Sequence, residues 1–284
     1  MRVMVTGGNG YLGTHICRRL KVRRFDVDSL SRREGFDILK PGNLGFLNRY
    51  DAVIHLAAHL DKSPGAADRC FAVNARGTLN ILKNLHRGQI FLFASTKDVY
   101  GKHTLHRSRV SEKCPTDFAG QGAYEWSKLI AEKYVQYYSE HLNLRSVILR
   151  LSTTYAPLSG GNRGSFINFF VRAIRQGTPI ILKARGRQVR DLLHVNDLAD
   201  LLERCLRAEI SGEIFNVGGG PDNVTTLAGL VNLLSSLIGK DPVLQKSPDE
   251  ETGQMRYVTD IRKTEGILHW APRISLLKGL KTIL

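Results

Sequence analysis

VMVTGGNGYLGTH, residues 3–15, sets Gly7, Gly10 and Gly13 between an apolar run and an amphipathic pattern. The apolar run reads as a strand, and the pattern from Tyr11 to Leu20 reads as a helix. The first glycine permits a tight turn, the second admits a phosphate close to the backbone, and the third lets helix and strand pack closely. The helix N-terminus then offers N–H groups and a positive dipole end to a pyrophosphate. This stretch predicts a dinucleotide-binding turn after the first strand of an α/β fold.

Outward from that turn, the same alternation continues. FDVDSLS (25–31), AVIHLAA (52–58), QIFLFAS (89–95) and LRSVILRL (144–151) read as strands. Helical periodicity covers 67–85 and Tyr124 to His141. Strands alternating with helices predict a Rossmann-type doubly wound parallel sheet. Beyond Pro157 the pattern loosens. A glycine loop (Gly160, Gly161, Gly164) precedes helices over Ser165–Gln176, Asn196–Arg207 and Thr226–Leu237, with strands at Pro179–Leu182 and EIFNVGG. Residues 1–157 and 189–216 are expected to form the NAD(P)-binding Rossmann domain. Residues 158–188 and 217–284 are expected to form a smaller, interleaved α/β substrate-binding domain.

At 284 residues, 42% hydrophobic and 24% charged, the chain has the composition of a soluble globular protein with a substantial core. No apolar run is long enough to cross a membrane, and no signal or transit peptide is expected before the first strand. Cys17, Cys70, Cys114 and Cys205 are far apart without CxxC spacing, so neither a metal site nor a disulfide framework is expected. That usage fits a cytoplasmic location. The net charge of +15 is scattered in small clusters rather than gathered in a tail. It points to solvated faces and anionic ligands more than to nucleic acid.

YEWSK places Tyr124 and Lys128 four residues apart, on one face of a helix. A nearby ammonium stabilises a phenolate and brings a poor base toward the working range. FASTKDVYG delivers Thr96 to the C-terminal edge of a strand, where open α/β sheets bind ligands.

The GxxGxxG spacing resembles the extended branch of the short-chain dehydrogenase/reductase superfamily, the NAD-dependent epimerase/dehydratase family. DAVIHLAA, FAVNARGTLNIL, FASTKDVYG, YEWSK, RDLLHVNDLAD, EIFNVGGG and LHWAPRISLLKGL resemble its blocks in order. The resemblance implies an oxidoreductase or isomerase acting on a nucleotide sugar by hydride transfer at C4, in a homodimer pairing the helices at 67–85 and 123–141. It implies Tyr124 as general acid/base, Lys128 as its partner and a ribose ligand, and Thr96 as a hydroxyl on the reacting sugar oxygen. Gly7, Gly10, Tyr11, Leu12, Gly13, Ser31, Arg32, Arg33, Asp37, Ala57, Ala58 and Asn74 are implied to bind the cofactor. Thr153, Asn168 and Arg190 are implied to bind substrate, with the loop from Arg163 to Asn168 lining the sugar pocket; Arg187, close to Arg190 in sequence, and Arg256, across the turn from Glu251, are expected to join them.

Three departures refine this. The second strand ends on Ser31, Arg32 and Arg33, where NAD users carry an aspartate. Guanidinium groups suit a 2′-phosphate, so NADP(H) is favoured and NAD(H) remains the alternative. Asp28 sits within the strand and should not reach a ribose. Lys97 and Asp98 follow Thr96, where dehydratases carry Asp–Glu, which argues against a 4,6-dehydratase. Finally, Thr153 and Glu251 stand where the family has Asn and Arg. The expectation is a 4-keto-sugar-nucleotide reductase, with a 4-epimerase as the alternative and a non-catalytic cofactor- or RNA-binding protein as a third reading.

Overall fold

The computed structural model describes residues 1–32, 35–159, 164–245 and 254–284. In chain order the strands are β1 (Arg2–Thr6), β2 (Asp26–Leu30), β3 (Ala52–His55), β4 (Ile90–Thr96), β5 (Arg145–Leu151) and β6 (Thr153–Tyr155). There follow β7 (Ile180–Ile181), β8 (Val189–His194), β9 (Glu213–Val217), β10 (Val224–Thr226), β11 (Leu244–Gln245) and β12 (Arg256–Tyr257). The helices are α1 (Gly13–Val22), α2 (Ala67–Cys70), α3 (Gly77–Leu82), α4 (Ala123–His141) and α5 (Phe166–Gln176). Then come α6 (Val195–Arg207), α7 (Leu227–Ile238), α8 (Arg262–Leu268) and α9 (Leu276–Lys281). No helix among the described residues is long and apolar enough to cross a membrane.

Six parallel strands make the main sheet, in the order β2-β1-β3-β4-β5-β9. Their side chains alternate between two faces, and both faces are apolar. Val3, Val5, Ile54, Leu92 and Val147 meet Ile16 and Leu20 of α1 and Leu198 and Leu202 of α6. Met4, Val53, Phe91, Phe93 and Ile148 meet Ile81 and Leu82 of α3 and Ala131 and Val135 of α4. Each such aliphatic side chain, fully buried, contributes about 1.5–3 kcal/mol. This is the doubly wound parallel sheet that the alternation predicted. From β1 the chain steps outward to β2, then crosses back over β1 to β3. The order reverses between β1 and β3, and that crevice is where such sheets take ligands.

The expected helix over 67–85 is interrupted. Between α2 and α3 lies a π-helical turn, Phe71–Arg76, which turns Asn74 into the interior. The second half builds a separate core from α5, α7 and α9, with Tyr155 and Leu192. Strand β8 pairs with β6, β10 and β12 in a small sheet, and α6 and β9 then return to the large one. Strand β8 also contributes Leu193 to the core of the large sheet.

Candidate active site

The glycine turn explains itself atom by atom. Gly7 has φ +74°, and a Cβ there would lie 2.8 Å from Ala57 N, so the turn closes directly on the end of β3. A Cβ on Gly10 would stand 2.9 Å from the Gly7 carbonyl oxygen, and one on Gly13 would overlap that oxygen. Helix α1 opens at Gly13 with no side-chain cap from Leu12 and no acidic residue in its first turn. A bare, glycine-lined helix start suits a pyrophosphate, so the residues present fit a dinucleotide.

A cleft of about 760 Å³ runs from this turn across the β1/β3 crevice to α4. Its lining includes Gly7, Gly10, Tyr11, Leu12 and Gly13, and the end of β3 at Ala57 and Ala58. At one end stand Ser31, Arg32 and Asp37. Asp28 does not line the cleft, and its Oδ2 accepts the Tyr50 hydroxyl at 2.7 Å. Ser31 Oγ accepts from Asn9 Nδ2 at 3.2 Å. Asp37 Oδ1 accepts the Leu39 N–H at 3.0 Å, which fixes the turn after β2. Arg33 and Glu251 lie outside the described residues, as does Arg163.

At the other end, β4 delivers Thr96 and α4 delivers Tyr124 and Lys128 to the same wall. Thr96 hydrogen-bonds the Tyr124 phenol. Lys128 is buried, donates to the Ala94 carbonyl at 2.7 Å and lies 4.7 Å from the Phe93 ring centre. Burial pulls its pKa down to about 7, with Glu132 opposing. The phenol moves the other way. Burial, and then the Asp98 carboxylate, hold Tyr124 above its ordinary range. That direction is opposite to the lowering that the Tyr–Lys spacing suggested.

Asn74 does not line the cleft. Its amide donates to the His59 carbonyl at 3.0 Å and to Ser127 Oγ at 2.9 Å, and accepts the His59 N–H at 2.7 Å. It fixes the loop after β3 to α4, so the expected cofactor contact becomes a support beneath the site. Asn168 is likewise spent internally. Its Oδ1 accepts from Tyr11 Oη at 2.6 Å and from Ser165 N at 2.9 Å, and its Nδ2 donates to the Ala156 carbonyl at 3.1 Å. Fully buried at the first turn of α5, it caps the helix instead of facing substrate; Gly164 and Ser165 line the cleft in its place. Leu151, Ser152 and Thr154 line the cleft, whereas Thr153 does not.

Arg190 and Arg256 lie on adjacent strands of the small sheet, where Arg256 pairs in register with Val189. The Arg190 guanidinium donates to the Val189 carbonyl at 2.7 Å and to the Gln254 carbonyl at 2.6 Å. Arg187 is exposed on the turn before β8. None of the three lines the cleft.

Sequence reasoning missed an ionic cluster beside Tyr124. Lys62 Nζ donates to Asp98 Oδ2 at 2.7 Å and to Glu125 Oε1 at 2.8 Å. Lys97 Nζ donates to Asp98 Oδ1 and to Gln254 Oε1, both at 2.5 Å. Asp98 stands two residues after Thr96, which is a signal that could have been used. Lys62 is in a loop with no motif, so nothing marked it.

The comparisons with known proteins agree with this architecture. Residues 3–218 match the NAD dependent epimerase/dehydratase family. The chain is 28% identical to the CDP-paratose 2-epimerase of Salmonella typhi, covering 99% of this chain and 97% of that protein. Among solved structures it is similar to the UDP-glucose 4-epimerase of Thermus thermophilus in complex with NAD, at TM-score 0.86 and 26% identity, with 99% and 97% of the two chains covered. It is also similar to RMD from Pseudomonas aeruginosa complexed with NADPH, at TM-score 0.85 and 25% identity, with 100% and 97% covered. A glycine turn at the sheet's reversal point and a Thr–Tyr–Lys wall opposite it thus go with a match over most of the sequence, and the chain is an enzyme of the NAD-dependent epimerase/dehydratase family.

Proposed function

We propose that the protein is an NADPH-dependent reductase of a 4-keto sugar nucleotide. The observation that carries the reading is the end of β2. Ser31 and Arg32 line the cleft there, while the Asp28 carboxylate is turned onto Tyr50. A carboxylate would repel a 2′-phosphate, whereas a guanidinium makes charge-assisted bonds to it. Bound in the cleft, the cofactor supplies a hydride to C4 of the sugar. Tyr124, held protonated by burial and by Asp98, gives its proton to the C4 oxygen. Thr96 shares its hydroxyl with that phenol and orients it, and Lys128, on the same wall of the cleft, is the group assigned to stabilise the phenolate that remains.

The position after Thr96 supports reduction over water loss. Lys97 is a buried ammonium bonded to Asp98, and it replaces the carboxylic acid that would protonate a leaving hydroxyl. Tyr137 and Phe71 expose apolar surface on the α4 side of the sheet, consistent with the proposed homodimer. The four cysteines form no disulfide, which fits a cytoplasmic location.

Calorimetric titration with NADPH and NADH, on the native chain and on Arg32→Ala/Arg33→Ala, tests the cofactor assignment. At least a tenfold preference for NADPH, about 1.4 kcal/mol, should disappear in the double variant. Equal binding, or NAD retained through purification, would overturn it. A second reading, a 4-epimerase, draws support from the similar NAD-bound 4-epimerase. It predicts a C4 epimer of UDP-glucose without added reductant.

A further inference from the structure

Lys62 belongs to none of the motifs, yet it reaches the catalytic wall at more than one point. Its ammonium sits 5.0 Å from the centre of the Tyr124 ring. Its two carboxylate partners come from different catalytic elements. Asp98 belongs to the turn that follows Thr96, and its N–H donates to Thr96 Oγ1 at 3.2 Å. Glu125 follows Tyr124 on α4, where its other oxygen accepts the Gly122 N–H at 2.9 Å. The loop that carries Lys62 is itself pinned, through both backbone groups of His59, by Asn74. Three elements therefore meet at one ammonium.

We propose that Lys62 is a positioning residue for proton transfer, acting through Tyr124: it fixes the phenol against Thr96 and holds a constant positive charge over the aromatic ring. The inference rests on Tyr124 as the proton donor, as argued above. A cation on a ring face stabilises the phenolate more than the neutral phenol, because ionisation adds negative charge to the ring. The groups facing Tyr124 divide in their effect. Asp98 and Glu125 oppose ionisation, and Lys62 favours it. The two lysines also divide by protonation state. Burial brings Lys128 down to about 7, with only Glu132 opposing, and neutral His55 on β3 lies close enough to feel its charge. Lys62 has two carboxylates and moves upward from its ordinary value. Against the cost of burial, Lys97, on the other oxygen of Asp98, and Lys62 itself hold that carboxylate below its ordinary range. It therefore stays ionised and keeps its hold on Lys62, while Arg190 feels its charge. Across the working range Lys62 stays charged while Lys128 titrates.

The test needs no substrate. Placing 3,5-difluorotyrosine at position 124 brings the phenol's ionisation into a measurable range, and its fluorine resonance reports the midpoint. With Lys62→Met the midpoint should rise by about half a pH unit to one unit, a threefold to tenfold effect, and Lys62→Arg should restore it. An unchanged midpoint in folded Lys62→Met would overturn the proposal. In parallel, NADPH consumption with dTDP-4-keto-6-deoxyglucose should show kcat lowered by a similar factor with KM retained. A raised KM at full kcat would also overturn it, since that is the result for a substrate ligand. If the native chain fails to reduce this sugar, the functional reading is at fault, and the fluorine titration still decides the role of Lys62.

Discussion

At the scale of single residues, Lys128 and Tyr124 have opposite protonation problems with one cause. Both are buried at the same wall, and burial penalises whichever form is charged. For Lys128 the folded pKa is about 7 against an ordinary 10.5. Between those values the unfolded chain binds more protons than the folded one, so this residue's contribution to stability rises with pH across the window. Its cost is fully present below about pH 7 and gone above about pH 10.5. Urea midpoints of the native chain should therefore gain on those of Lys128→Met as pH rises from about 6 to about 9. Tyr124→Phe should lower kcat by roughly 10²–10⁴-fold, the usual size of a general-acid contribution, with NADPH affinity nearly kept. Single-turnover measurement beside a binding titration separates the two. Thr96, Tyr124 and Lys128 could be read in the sequence because each sits at a fixed offset within one element. Asn74, Asn168 and Lys62 could not be read in the same way. Their amide or ammonium groups close contacts to His59, Tyr11 and Asp98, across distances in sequence that no local pattern encodes.

Among the elements, helix α1 ends in a full Schellman turn. The Arg24 N–H donates to Lys21 O at 3.0 Å and the Phe25 N–H to Leu20 O at 3.1 Å, while Phe25 and Leu20 share the core beneath. The geometry demands a left-handed residue, and Arg24 supplies it at φ 65°. A Cβ there costs about 1–2 kcal/mol, and glycine's extra chain entropy costs roughly 0.5–1. Arg24→Gly should then stabilise by about 0.5–1 kcal/mol, seen as a thermal midpoint higher by about 2 °C. The central strands were legible as unbroken apolar runs, because both faces of the parallel sheet are covered, and the long helices by their 3.6-residue period. The π-helical turn was not. The 67–85 periodicity runs straight through it, and the extra residue per turn is selected by where Asn74 must reach.

For the whole molecule, the second half combines its own apolar core with points of tight apposition. Gly279 of α9 lies against the Tyr155 ring and beside His194, and a Cβ at that position would overlap the Tyr155 hydroxyl. Gly279→Ala should destabilise the chain by about 1–3 kcal/mol, the usual cost of overpacking. Tyr155→Phe in the same chain should recover part of it, because the hydroxyl removed has no hydrogen-bond partner. Chemical denaturation of the two single variants and the double variant measures the recovery.

The Tyr11 hydroxyl gives the molecule a different kind of property. Tyr11 belongs to the glycine turn, yet its oxygen accepts the Ala156 N–H at 2.7 Å and its proton lies between Asn168 Oδ1 and the Ala156 carbonyl. One phenol thus closes the seam between the chain's two halves at the wall of the cleft. The phenol therefore joins order in the turn to order in that seam, and a linkage of this kind acts equally in both directions. The backbone amide of Ala156 is the natural gauge of this linkage. Its deuterium uptake should slow on cofactor addition, although the amide belongs to the segment leading away from the sheet.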